Sequence, residues 1–227
     1  MRMKLVMAMV IVVGLGTAAF GQLLNGSFEG LTVYGWATFY GGSTDIPHWT
    51  VGPIGSVDLK TTYWEASHGD ASIDLSGNSA GSISQTFTTV PGVLYEITFD
   101  MSGNPDSGGR EYFMEVKATG NAAGAYSYDS GEKGNTHTDM KWETMTYTFV
   151  ATSTSTTLTF SDTTPPISPF WHGPVIDYVR LSTPNTVCHR NMSKDGRNSF
   201  KTMSFTDPAA VQAHLGHGDE PGPCEGN

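Results

Sequence analysis

Gly173-Pro174-Val175-Ile176-Asp177-Tyr178-Val179-Arg180-Leu181 lies near the end of the central region, and Asn25-Gly26-Ser27-Phe28-Glu29 opens it. Each sets an acid beside apolar residues that alternate with polar ones, the pattern of a half-buried strand. Together they predict an all-β sandwich whose first and last strands lie side by side. The sequence between them agrees. Leu94-Tyr95-Glu96-Ile97-Thr98-Phe99 and Thr144-Met145-Thr146-Tyr147-Thr148-Phe149 repeat the period of two, while Gly, Pro and Asn punctuate the runs. No stretch of this region sustains a helical period.

Strands are predicted near 27–30, 48–51, 56–60, 71–75, 81–88, 94–102, 112–119, 143–151, 156–161 and 175–182. Three longer connections break the rhythm: 31–47, with Tyr34, Trp36, Phe39 and Tyr40; 120–139, with Tyr126 and Tyr128; and 162–174, with Phe170, Trp171 and His172. Loops of that length in a compact domain more often carry function than serve as plain connectors.

The chain divides into three parts. Residues 1–21 run from Arg2 and Lys4 through an apolar stretch to small residues ending at Gly21, the order of a secretory signal peptide. The apolar stretch is shorter than the ~20 residues that span a bilayer, and no second one follows, so export without a membrane span in the mature chain is expected. Residues 22–183 form the sandwich. Residues 184–227 form a small tail in which strand alternation stops and Cys188 and Cys224 stand far apart. In an exported chain two cysteines predict one disulfide. Asp207-Pro208 starts a short helix, with Asp as N-cap and Pro at the first helical position.

The formal charge of the full chain is −10, and it becomes −12 once Arg2 and Lys4 leave with the leader. That excludes the basic surface on which nucleic-acid binding rests, and it disfavours anionic membranes.

The sandwich resembles the choice-of-anchor C family and its plant cell-wall relatives, also known as domain of unknown function 642. The resemblance rests on Asn25 to Glu29, Trp49, Val57-Asp58, Gly69 with Ala71 to Gly77, Ile83 to Phe87, Gly103-Asn104-Pro105, Trp142 with Tyr147 to Ala151, and Gly173 to Leu181. Tyr178 departs from it, where relatives often carry a second acid after the one matching Asp177. The resemblance implies a galactose-binding-like jelly roll that associates with polysaccharide or a cell-surface polymer. The tail, with Cys188-His189 and Ala213-His214-Leu215-Gly216-His217-Gly218-Asp219 before Cys224, looks like an appendage of secreted bacterial proteins.

Three constellations could carry chemistry. Glu29 and Asp177, meeting where the first and last strands join, are candidates for a structural calcium, with strand capping as the alternative. Trp36, Tyr40, Trp64 and Trp171 are candidate platforms for sugar rings, with Asn104, Asp106 and Arg110 as polar company; packing is the alternative for each, and the preferred one for Trp49 and Trp142. His189, His214, His217 and Asp219 could hold zinc or copper, or stand as surface histidines. Gly77-Asn78-Ser79-Ala80-Gly81 copies a nucleophile elbow, but a strand follows where a helix is required. No spacing selects a catalytic pair among Asp58, Asp74, Asp100 and Glu115. The sequence therefore points to a non-enzymatic carbohydrate-binding module, with a structural or adhesive surface protein as the alternative.

Overall fold

Val, Ile, Leu and aromatic residues at every second position give each main strand one apolar face, and two sheets bury those faces against each other. The computed structural model describes residues 22–166, 172–183, 186–192, 198–205 and 208–221. In chain order the strands are β1 (Gly35–Tyr40), β2 (Thr50–Val51), β3 (Ser56–Thr61), β4 (Ala71–Asp74), β5 (Ser82–Thr88), β6 (Leu94–Gly103), β7 (Glu111–Ala118), β8 (Gly124–Asp129), β9 (Glu143–Val150), β10 (Ser155–Asp162) and β11 (Pro174–Ser182). The tail adds β12 (Thr186–Met192), β13 (Asn198–Ser204) and β14 (Glu220–Pro221), and the described residues also hold the α-helices α1 (Ser130–Lys133) and α2 (Pro208–Gly216) and a short 3-10 helix at Pro105–Ser107.

One antiparallel sheet has the order β1-β3-β4-β11-β6-β9, the other β2-β5-β10-β7-β8. The late strand β11 thus inserts between β4 and β6, the non-sequential ordering of a jelly-roll sandwich. Val57, Leu59, Ile73, Ile97, Phe99, Met101 and Ile176 from the first sheet meet Ile83, Phe87, Met114, Val116, Leu158 and Phe160 from the second in one buried core.

Four sequence expectations change. Residues 25–29 form a turn rather than a strand, although they do meet β11: the Val179 N–H donates to the Gly26 carbonyl at 2.8 Å. A Cβ at Gly26 would fall 1.8 Å from the Val179 carbonyl oxygen, so only glycine allows the approach. The turn drives Phe28 into the core, 5.1 Å from the Trp49 ring, and Trp49 Nε1 donates to the Asn25 carbonyl at 2.8 Å. The 31–47 connection contains β1, and the 120–139 connection contains β8 and α1. The described part of the tail contains strands that the sequence did not predict, a β13-β12-β14 sheet beside α2.

The core placement of Trp49 agrees with expectation, and α2 begins at Pro208 as the sequence predicts. Among the described residues no cysteine is free, and Cys188 is buried; Cys224 lies outside those residues, as do the leader, 1–21, and Trp171. No helix among the described residues is long and apolar enough to cross a membrane.

Candidate functional site on the outward sheet face

Strand alternation sends Val57 and Leu59 of β3 into the core and Ser56, Asp58 and Lys60 to the opposite, outward face. The register then aligns three rows. Trp36 faces Lys60, Thr38 faces Asp58 and Tyr40 faces Ser56 across β1 and β3, while Asp58 faces Asp74 and Lys60 faces Ser72 across β3 and β4.

An outward row on a sandwich is normally solvated, yet Asp58 and Lys60 are each only 6% exposed. The segments at 62–70 and 134–142 roof part of the face, joined by the Glu65 N–H donating to the His137 carbonyl at 2.8 Å. Four anchors hold the first segment down. Glu29 Oε1 accepts the Asp70 and Ala71 N–H groups at 2.9 and 3.0 Å, Asp177 Oδ2 accepts the His68 N–H at 2.8 Å, and the Ser67 hydroxyl donates to Asp100.

At the uncovered β1 side an ion pair sits under aromatic rings. Lys60 Nζ lies 2.9 Å from Asp58 Oδ2 and 5.0, 5.1 and 5.2 Å from the ring centroids of Trp36, Tyr63 and Trp64. Thr38 Oγ1 donates to Asp58 Oδ1 at 2.6 Å. The ammonium is attracted to the ring faces and fixes them. Tyr63 packs against Trp36 at 5.1 Å and against His137 at 4.8 Å, which makes a row of three rings. Asp106 ties the far end, accepting from the Tyr63 hydroxyl at 3.0 Å and lying 2.7 Å from His137 Nε2. Partial burial pulls the Asp106 carboxyl up, but the bonds from His137 and Tyr63 prevail and hold it below the usual carboxylate range. Burial and the Asp106 bond push the Tyr63 hydroxyl up. Burial, with help from Lys60 and Arg110, holds His172 below the ordinary histidine value.

Beneath this rim lies Asp74, fully buried. Burial raises its pKa to about 7 against the opposing pull of Lys60, a Ser76 N–H and Asn104. Asn104 Nδ2 donates to Asp74 Oδ2 at 2.7 Å, and the Gly173 N–H donates to Oδ1 at 3.1 Å. Asp58 and Asp74 are cross-strand neighbours, but both are enclosed and Asp74 has donors on both oxygens, so neither presents a carboxyl to a substrate. Ser79 stands in the turn before β5, with no helix after it, and the elbow geometry does not form.

A profile for the family described as "Protein of unknown function (DUF642)" matches residues 21–182. The chain belongs to the DUF642 family. Halomucin of Haloquadratum walsbyi is 34% identical over 147 residues, which is 62% of this chain and 2% of Halomucin. The chain thus spans a very small part of that relative. Among solved structures, a family 35 carbohydrate binding module from Clostridium thermocellum is 13% identical with a TM-score of 0.42, over 65% of this chain and 98% of its own. The CBM22-1 xylan-binding domain of Paenibacillus barcinonensis Xyn10C is 15% identical with a TM-score of 0.41, over 65% and 92%. Likeness at this level decides neither ligand nor chemistry.

Within the DUF642 domain the sequence-named residues separate. Trp36 and Tyr40, 52% and 59% exposed, stand on the open rim, and Tyr40 Oη accepts from Asn78 Nδ2 at 2.6 Å. Trp64 is 5% exposed and donates to Ser72 Oγ at 2.8 Å, so it is a wall and not a platform. Asn104 is enclosed as a partner of Asp74. Arg110 lies over Tyr112 at 5.4 Å and donates to the Pro165 carbonyl at 2.9 Å, which makes it a strap for the 163–165 segment.

Glu29 and Asp177, the calcium candidates, each bind backbone: Glu29 Oε1 and both oxygens of Asp177 accept N–H groups, the last from Tyr178 at 2.6 Å. Burial, opposed by those N–H groups, pushes the Asp177 carboxyl up to about 8. Both acids are anchors for the 67–71 backbone. The sequence missed Lys60, Tyr63 and His137. Lys60 occupies an outward strand position, which reads as solvated until its roof and its β1 partner are known.

Proposed function

We infer that the DUF642 domain is a non-catalytic module that binds carbohydrate of a cell wall or extracellular polymer. One observation carries the inference: an exposed Trp36 ring meets Tyr63 edge-on, and Tyr63 meets His137 at a tilt, in an aromatic row beside a buried Lys60–Asp58 pair. Sugar rings offer flat C–H faces to aromatic planes and hydroxyls to hydrogen-bonding groups at their edges. Trp36 and Tyr40 supply the planes, and Asp106, His137 and the Tyr63 hydroxyl supply the edge groups. Because Lys60 and Asp106 fix the row before any ligand arrives, little side-chain entropy remains to be lost on binding.

The leader-like residues 1–21 support export, and with it a Cys188–Cys224 bridge closing the tail. The test is retention of the mature protein on insoluble and gelled polysaccharides, neutral and acidic, beside Trp36→Ala. Retention lost in the variant supports the proposal. Absence of retention on every polymer would favour the structural or adhesive alternative.

A further inference from the structure

The tail carries a second cluster, unrelated to the sheet face. β12 brings His189, α2 brings His214, and the turn after α2 brings Asp219. His189 Nδ1 and His214 Nδ1 converge on one oxygen, Asp219 Oδ2, at 2.8 and 2.7 Å. The two imidazoles stand 5.1 Å apart and nearly perpendicular, at 87°. The Asp219 side chain is 4% exposed, while those of His189 and His214 are 29% and 25% exposed, so the cluster is enclosed on the acid's side and open on the other. Among the described residues it is the only group of three or more His, Cys, Asp or Glu whose ligand atoms lie within 4.8 Å of one another.

We propose that His189, His214 and Asp219 form a binding site for a divalent transition metal of the zinc class. The donor set is two imidazoles and a carboxylate, which suits zinc and its neighbours and not calcium or magnesium. Three protein ligands with a fourth position open towards solvent is a recurring zinc arrangement. Bonds of about 2.0–2.1 Å at tetrahedral angles place ligand atoms roughly 3.3 Å apart. The present 2.7 and 2.8 Å separations therefore need to open by only about half an ångström, within reach of side-chain rotation. On binding, the proton on each Nδ1 gives way to the metal: it passes to Nε2 where that nitrogen is bare, and is released to water where Nε2 already carries one, so each ring binds as a neutral imidazole.

Local structure supports the set. The His217 and Asp219 N–H groups donate to the His214 carbonyl at 3.0 and 3.2 Å, and Gly218 has φ +88°, so the chain turns back sharply enough to bring Asp219 beneath His214. Phe205 packs on the His214 ring at 4.8 Å and fixes its tilt. Cys188 precedes His189 on β12, but it is not a free cysteine and strand alternation sends its side chain to the opposite face, so its sulfur is not a ligand. His217 is exposed and stands outside the three.

The experiment uses the full mature chain, stripped with chelator and titrated with zinc by calorimetry, with bound metal counted by plasma mass spectrometry. One zinc per chain is expected. His189→Gln, His214→Gln and Asp219→Asn should each weaken binding at least ~100-fold, since loss even of an outer-shell partner typically costs 10–100-fold. His217→Gln should stay within about threefold of the wild type, well under the tenfold of 1.4 kcal/mol. Cobalt substituted for zinc should give the visible absorption of a four-coordinate ion. Failure of the wild-type chain to take up stoichiometric zinc would overturn the proposal without reference to any variant. So would variants at 189, 214 or 219 that bind as tightly as the wild type, or a His217→Gln that loses the metal as fully as they should.

Discussion

Replacing Lys60 with Met should be among the most damaging single changes in the domain. The methionine keeps much of the stem's volume but removes the ammonium that lies 2.9 Å from Asp58 and about 5 Å from the Trp36, Tyr63 and Trp64 rings. Asp58 then keeps the Thr38 hydroxyl as a donor in a site where it is 6% exposed. A buried carboxylate stripped of its cation costs about 3–5 kcal/mol, a large share of the roughly 5–15 kcal/mol that holds a domain folded. Lost ring contacts add to this. Adding Asp58→Asn to Lys60→Met should recover part of the loss, because the amide carries no charge and can still accept from Thr38. The coupling energy should be about 2–3 kcal/mol. Urea unfolding of the four proteins, followed by tryptophan fluorescence, measures it. A Lys60→Met cost below about 1 kcal/mol, the range of a solvated pair, or a double variant equal to the sum of the singles, would refute the enclosed ion pair.

Stability should fall as pH rises from about 4 to 8. Asp74 and Asp177, raised to about 7 and about 8 chiefly by burial, keep their protons in the folded chain after the unfolded chain has lost them, so stabilisation present at low pH disappears through that window. Each contributes a slope of up to about 1.4 kcal/mol per pH unit, and a urea midpoint unchanged or higher at pH 8 than at pH 5 would contradict this. Glu29→Gln, which keeps an acceptor oxygen for the Asp70 and Ala71 N–H groups, should cost less than about 1 kcal/mol, whereas Glu29→Ala leaves them unpaired and should cost about 2 kcal/mol. For both variants and the wild type, calcium and chelator should leave the melting temperature of the sandwich unchanged; a calcium-dependent shift lost in Glu29→Gln would restore the cation site. Gly26→Ala should destabilise the fold by more than about 3 kcal/mol in denaturant, because the new Cβ would sit 1.8 Å from the Val179 carbonyl oxygen.

The sandwich could be read in the sequence wherever one strand face is buried and the other wet, as in Leu94 to Phe99 and Thr144 to Phe149, because the period of two survives. It failed at β1 and β8, which are outer strands of their sheets with half-exposed, Gly- and Tyr-containing sequences that resemble loops. The turn at 25–29 was misread because Phe28 and Asn25 adopt positive φ, +57° and +50°, a backbone choice that the alternation does not reveal. In the tail, β12 and β13 carry polar residues at most positions, so no apolar period marks them.

The site was legible as residue types more than as partners. Trp36 and Tyr40 stand on the open rim, but Trp64 and Asn104 turned inward, where they bond Ser72 and Asp74 of the sheet, and Arg110 is used to hold the 163–165 segment. Lys60 and Asp58 alternate like any solvated strand residues. Their enclosure depends on contacts with residues 36–38 and 63–64, and such pairings are set by register across strands, not by local spacing.

The most direct measurement is retention of the mature protein on a panel of insoluble and gelled polysaccharides, run beside Trp36→Ala at matched folded fraction. Retention by at least one polymer, reduced about tenfold or more by Trp36→Ala, is the result expected of an aromatic platform on the outward face, tenfold corresponding to about 1.4 kcal/mol of binding. Retention untouched by Trp36→Ala would place the binding elsewhere on the molecule, and no retention on any polymer would contradict carbohydrate binding itself.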